Sequence, residues 1–80
     1  MRLPRDLSSS DLVRMLQPLG YSVTRQTGSH LRVTTQQHGE HHLTIPSHSA
    51  LRVGTLAAIL FDVSQHFEMG RDELIDRLFK

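Results

Sequence analysis

A chain of 80 residues with 38% hydrophobic side chains, 12 of them Leu, has material for one core and not two, and too much of it to stay disordered. The absence of cysteine excludes disulfides, thiolate zinc sites and cysteine nucleophiles together, while no apolar run approaches the ~20 residues of a membrane span and residues 1–6 lack the hydrophobic stretch of a secretion signal. One cytoplasmic domain over residues 1–80 is expected, with a net charge of +1 that divides into +3 over residues 1–53 and −2 over residues 54–80, and with Arg supplying eight of its nine cations.

The first element is a helix announced by its cap. Ser8 stands as N-cap, Asp11 falls at the third helical position, and Leu7 is placed to pack on Leu12. Leu12, Met15, Leu16 and Leu19 recur at helical spacing, and Gly20 supplies the left-handed residue that closes the turn, with Pro18 reinforcing the stop.

After Gly20 the period changes to alternation. Tyr21 and Val23, Leu31 and Val33, then Leu43 and Ile45 define three short segments separated by Thr27-Gly28 and Gln36-Gln37-His38-Gly39, which reads as a three-stranded meander. Val23 shares a face with Leu31 or Val33 only if the first hairpin loop has an odd number of residues, so a three-residue turn is expected, with Gly28 assigned to its geometry. In that register Ser22, Thr24, Gln26, His30, Arg32, Thr34, His42 and Thr44 all point away from the core, and His30 lies beside Thr24 or Gln26.

Ile45-Pro46 ends the sheet, and a loop through Ser47-His48-Ser49 leads to a second helix with the stripe Leu56, Ile59, Leu60, Val63 and Phe67. Met69-Gly70 interrupts it. Leu74, Ile75, Leu78 and Phe79 then form one face of a short last helix, with Asp72 and Glu73 in its first turn and Arg77 and Lys80 in its last, the order that the helix dipole favours.

Six histidines are many for this length. His38-x-x-His41-His42 has metal-like spacing, yet His41 and His42 face opposite sides of a strand and His38 falls in a turn, so no metal site and no cofactor is expected. Phosphate-binding loops, nucleophile elbows and paired carboxylates are all missing, which leaves histidine as the acid/base group. His30 is the best placed, because it follows a glycine turn and projects from the sheet among hydroxyls and Arg32; an imidazole exchanges its proton near neutrality. His48, in the loop after Pro46, is the weaker candidate for a second acid/base.

Leu16-x-x-Leu19-Gly20-Tyr21, Arg25-Gln26-Thr27-Gly28-Ser29-His30, Leu43-Thr44-Ile45-Pro46-x-His48 and Val53-Gly54-Thr55-Leu56-x-x-Ile59-Leu60 occur in that order, and together they resemble the HicA toxin family, also called YcfA-like proteins. Leu3-Pro4-Arg5-Asp6 resembles the opening of one branch of it. The resemblance implies an α+β fold of the double-stranded-RNA-binding-domain type, α-β-β-β-α, here with a short extra C-terminal helix. It further implies metal-free cleavage of mRNA, neutralisation by a HicB antitoxin, and His30 as the catalytic histidine. Arg25 or Arg32 then becomes the phosphate partner, with Ser29 and Gln26 positioning the RNA. Two other readings stand beside it: a non-catalytic RNA-binding module of the same fold, and a protein-docking domain with an inert His30. RNA-binding modules carry lysines at the start of the second helix, where this chain reads Gly54-Thr55-Leu56-Ala57-Ala58-Ile59.

Overall fold

The computed structural model describes residues 6–79. The Leu3-Pro4-Arg5 part of the opening motif and Lys80 lie outside the described residues. Helix α1 (Ser9–Leu16) runs into a 3₁₀ turn (Gln17–Leu19), and strands β1 (Ser22–Thr27), β2 (His30–Thr35) and β3 (His41–Pro46) form an antiparallel sheet in the order β1-β2-β3. Helices α2 (Val53–His66) and α3 (Arg71–Phe79) complete an α+β fold of the order α-β-β-β-α with one extra helix, as expected. No helix among the described residues is long and apolar enough to cross a membrane.

The cap of α1 is the predicted box. The Asp11 N–H donates to Ser8 Oγ at 3.0 Å and the Ser8 N–H donates to Asp11 Oδ2 at 3.2 Å, so two backbone donors with no partner inside the helix are satisfied reciprocally. The Ser8 hydroxyl and the Ser8 N–H, both beside the Asp11 carboxylate, hold its pKa below the usual value, so what the box contributes at neutral pH is lost as acid protonates that carboxylate. Leu7 packs against the core as the staple requires, but Val13 rather than Met15 joins it from the next turn, while Leu12 and Leu16 are fully buried. The 3₁₀ turn contains Pro18 and ends on Gly20 at φ +85°.

One face of the sheet meets the helices. Val33, Leu43 and Ile45 from β2 and β3 pack with Leu12, Leu16, Leu56, Leu60, Val63, Leu74 and Ile75, all buried. Every residue of β1 is exposed, Val23 included at 46%, and the buried side chains of the sheet come from β2 and β3.

The first hairpin departs from the expected three-residue turn. Thr27 pairs with His30, which leaves a two-residue turn of Gly28 and Ser29, with φ +51° at the glycine only, the pattern of a II′ turn. Parity is restored by a bulge: Val23 pairs with Val33 and Arg25 with Arg32, so Thr24 is the extra residue. From the bulge to the turn, β1 is therefore flipped relative to the predicted register. Arg25 and Thr27 share the open face with His30 and Arg32, whereas Gln26 lies opposite Leu31 on the other face, and His30 has Thr27 rather than Thr24 or Gln26 beside it.

Candidate functional site

The open face of the sheet carries charge in an unusual arrangement. Arg25 and Arg32 stand directly opposite each other, with Thr44 as the next partner of Arg32 across the sheet. Among the described residues neither arginine has a carboxylate within ion-pair distance, whereas Arg14 is paired with Asp11 at 3.3 Å and Arg77 with Glu73 at 3.7 Å. Like charges opposed across two strands destabilise a sheet unless an anion joins them, and the fork-shaped guanidinium suits a phosphate.

Four of the six histidines are engaged by protein groups. His38 Nε2 lies 3.0 Å from Glu68 Oε2, and His66 Nε2 lies 2.9 Å from the Gln37 carbonyl. His41 is bound at both ring nitrogens: Nδ1 is 2.7 Å from the Tyr21 hydroxyl and Nε2 is 3.2 Å from Asp62 Oδ1, while its ring stacks on His66 with centroids 4.3 Å apart. Burial, with Asp62 adding to it, pushes the Tyr21 hydroxyl well above the usual tyrosine pKa, so it stays protonated and can donate to His41. These contacts tie the β2–β3 turn to the end of α2. His42 is bound on the open face, with Nδ1 2.7 Å from Thr34 Oγ1 and Nε2 2.8 Å from Glu40 Oε2. Thr24, the bulged residue, extends that chain through Thr34 at 3.0 Å. The His38-x-x-His41-His42 spacing thus resolves into three rings with three different sets of partners.

His30 and His48 are the other two. The His30 ring has only Ser29 Oγ at 3.4 Å, and among the described residues its Nε2 makes no hydrogen bond and the His48 ring makes none. Both side chains are exposed. They belong to one end of the sheet, because Pro46 is the cross-strand partner of His30, the Ser47 N–H donates to the Ser29 carbonyl at 2.6 Å, and His48 follows. His48 is held there by α1: its carbonyl accepts from the Ser9 N–H at 3.0 Å and from Ser9 Oγ at 3.2 Å, and Ser9 is buried. His42, by contrast, pairs with Thr34, four residues up β2 from His30, or about 13 Å along the strand. That is too far for His30 and His42 to act on one phosphate.

A cleft of about 450 Å³ adjoins the same end of the sheet, lined by Pro46, His48, Ala50, Leu51, Arg52 and Thr55. Arg52 stands immediately before α2 as its N-cap residue, its side chain makes no capping bond, and among the described residues it has no ion pair. The lysines of RNA-binding modules are expected from residue 54 onward, and this arginine lies two positions before that place. The signal available was its place directly before Val53-Gly54-Thr55-Leu56.

A model of the family described as the HicA toxin of bacterial toxin-antitoxin systems matches residues 9–63, more than half of the chain. The protein belongs to the HicA toxin family. No curated protein and no solved structure matches the chain.

Proposed function

We propose that this chain is the toxin of a toxin–antitoxin pair and acts as a metal-independent endoribonuclease on single-stranded mRNA, with His30 as general base. The observation that carries this reading is that His30 and His48, the two histidines whose rings no other described residue engages firmly, sit at one end of a sheet face whose next occupants are Arg25 and Arg32, which have no ion pair among the described residues. His30 takes the proton of a ribose 2′-hydroxyl, and the resulting oxygen attacks the adjacent phosphorus. The new P–O2′ bond displaces the 5′-oxygen of the next nucleotide, which receives a proton from His48. The products are a 2′,3′-cyclic phosphate and a 5′-hydroxyl end. Arg25 and Arg32 stabilise the charge that grows on the phosphoryl oxygens, and Ser29 orients the His30 ring. Gln26, on the opposite face of β1, is left without a part in this step. The α-β-β-β-α order supports the reading as well, being that of double-stranded-RNA-binding domains.

Purified protein is expected to cut single-stranded RNA in the presence of EDTA and to spare DNA of the same sequence, which lacks the attacking hydroxyl. Electrophoresis of end-labelled strands checks this; cleavage that vanishes in EDTA and returns with one added metal ion overturns the metal-free step. RNA binding without any cleavage is the outcome expected of a non-catalytic module. A HicB-type antitoxin is the expected partner, and it would stop RNA entry most directly by covering the open face, since a standard interface takes roughly 800 Å² from each partner.

The two facing arginines give a separate test. Arg25→Ala and Arg32→Ala are each expected to weaken RNA binding and to reduce the slope of log affinity against log salt by about 0.7, the value for one phosphate contact on a single strand. Arg14→Ala and Arg77→Ala, which remove ion-paired helical arginines, should leave that slope unchanged. Equal small effects from all four, measured by fluorescence anisotropy across a salt series, would move the RNA surface away from the sheet.

A further inference from the structure

Residues 41–61 contain no Asp or Glu, and Arg52 is the one Lys or Arg among them. The cleft is built from the middle of that stretch, between Pro46 and Thr55. One part of its lining is apolar, with Pro46, Ala50 and the buried Leu51, and the rest is polar, with the Arg52 guanidinium, the half-buried Thr55 hydroxyl and the His48 imidazole. An apolar wall beside a hydroxyl and a guanidinium that has no ion pair among the described residues suits a ligand with a flat apolar part and an anionic one. The volume of about 450 Å³ falls within the usual range for small-ligand sites.

The cleft is also oriented with respect to the cut. His48 lines it, and His30 lies across the sheet from Pro46, another of its lining residues. If His48 hands its proton to the departing 5′-oxygen, the nucleoside bearing that oxygen is on the cleft's side of the scissile phosphate. We infer that the cleft binds the nucleotide on the 3′ side of the cut, with its base or ribose against Pro46 and Leu51 and its own 3′-phosphate on Arg52 and Thr55. The inference rests on the proposed role of His48. It makes Arg52 a substrate-binding residue and gives the cleft a part in selecting where RNA is cut.

A nucleoside 3′-monophosphate reproduces this ligand, because it has the free 5′-hydroxyl and the 3′-phosphate of the downstream nucleotide. Each of the four ribonucleoside 3′-monophosphates would be titrated into ¹⁵N-labelled protein, with the corresponding nucleosides for comparison. At least one is expected to shift the amide resonances of His48, Leu51, Arg52 and Thr55, and to bind about tenfold more tightly than its nucleoside, the contribution of one charge-assisted hydrogen bond. Arg52→Ala should remove that tenfold gain, and Arg71→Ala, which deletes an exposed arginine from α3, should keep it. In cleavage assays, a neutral methylphosphonate placed one nucleotide 3′ of the mapped cut should lower kcat/KM for the native protein and have no further effect on Arg52→Ala.

Absence of cleft shifts with all four nucleotides, or a gain that survives Arg52→Ala, overturns the inference. If that happens while RNA is still cut in EDTA, the ribonuclease reading stands without the subsite. Cleft binding with no RNA cleavage has a different meaning: the ribonuclease reading falls, the placement of the cleft 3′ of a cut falls with it, and a nucleotide-binding site at Arg52 is what is left.

Discussion

His30→Ala is expected to lower RNA cleavage by a factor of about 10² to 10⁴, the contribution of a positioned general base, while the fold survives. The His30 side chain is exposed, and its one hydrogen bond is a long contact to the neighbouring Ser29, so its removal should change stability by no more than about 0.5 kcal/mol. A circular-dichroism melt and a cleavage assay on the same preparation separate the two quantities. His42→Ala is the informative comparison, because it too removes an imidazole from the open face of the sheet. That ring already spends both nitrogens on Thr34 and Glu40 and sits on β3 opposite Thr34, too far along the sheet from His30 to reach the same phosphate, so its loss should cost far less activity. A folded His30→Ala protein with native activity, or His30→Ala and His42→Ala proteins with equal losses, would take His30 out of the mechanism.

Local signals in the chain were specific enough to predict most elements. Ser8 and Asp11 at cap spacing, Gly20 after a leucine stripe and the change from helical to alternating period each have few physical solutions, and the structure adopts the expected one. The first hairpin was different because parity counts residues without locating them. An odd residue between Val23 and Val33 can sit in the turn or in the strand, and both satisfy the same alternation; the structure puts it at Thr24. The consequence for the site is large, since the bulge turns Arg25 toward the face that carries Arg32 and turns Gln26 away. The histidines divide in the same manner. Sequence context singled out His30 and His48, but the pairing of His41 with Tyr21 and Asp62, and of His38 with Glu68, joins residues 20 to 30 positions apart and has no local signature. Arg52 was hidden for another reason. Its importance comes from the cleft that forms when the loop after β3 is pinned to Ser9 at the start of α1 and to Leu7 just before the cap, and that loop has no periodicity to read.

Gly20→Ala is expected to destabilise the protein by about 2–4 kcal/mol, a large part of the stability of so small a domain. Two effects add at this position. The residue sits at φ +85°, where an L side chain costs about 1–2 kcal/mol. A Cβ there would also lie 2.6 Å from Thr35 Oγ1 and 2.9 Å from Gln37 Nε2. The glutamine end can move aside, but the threonine hydroxyl cannot do so cheaply. Thr35 is buried, its hydroxyl donates to the Leu19 carbonyl at 2.7 Å, and it accepts from the Gln37 N–H at 3.1 Å, so displacing it breaks the link between the end of the 3₁₀ turn and β2. Gly28→Ala isolates the first effect, because Gly28 also has positive φ, +51°, while nothing lies within 4 Å of where its Cβ would be. It should cost only the backbone strain, about 1–2 kcal/mol. Urea denaturation of both variants measures the difference, which is the contribution of the Gly20–Thr35 contact. Equal midpoints would mean that Thr35 yields without loss, and that Gly20 is required for its backbone angle alone.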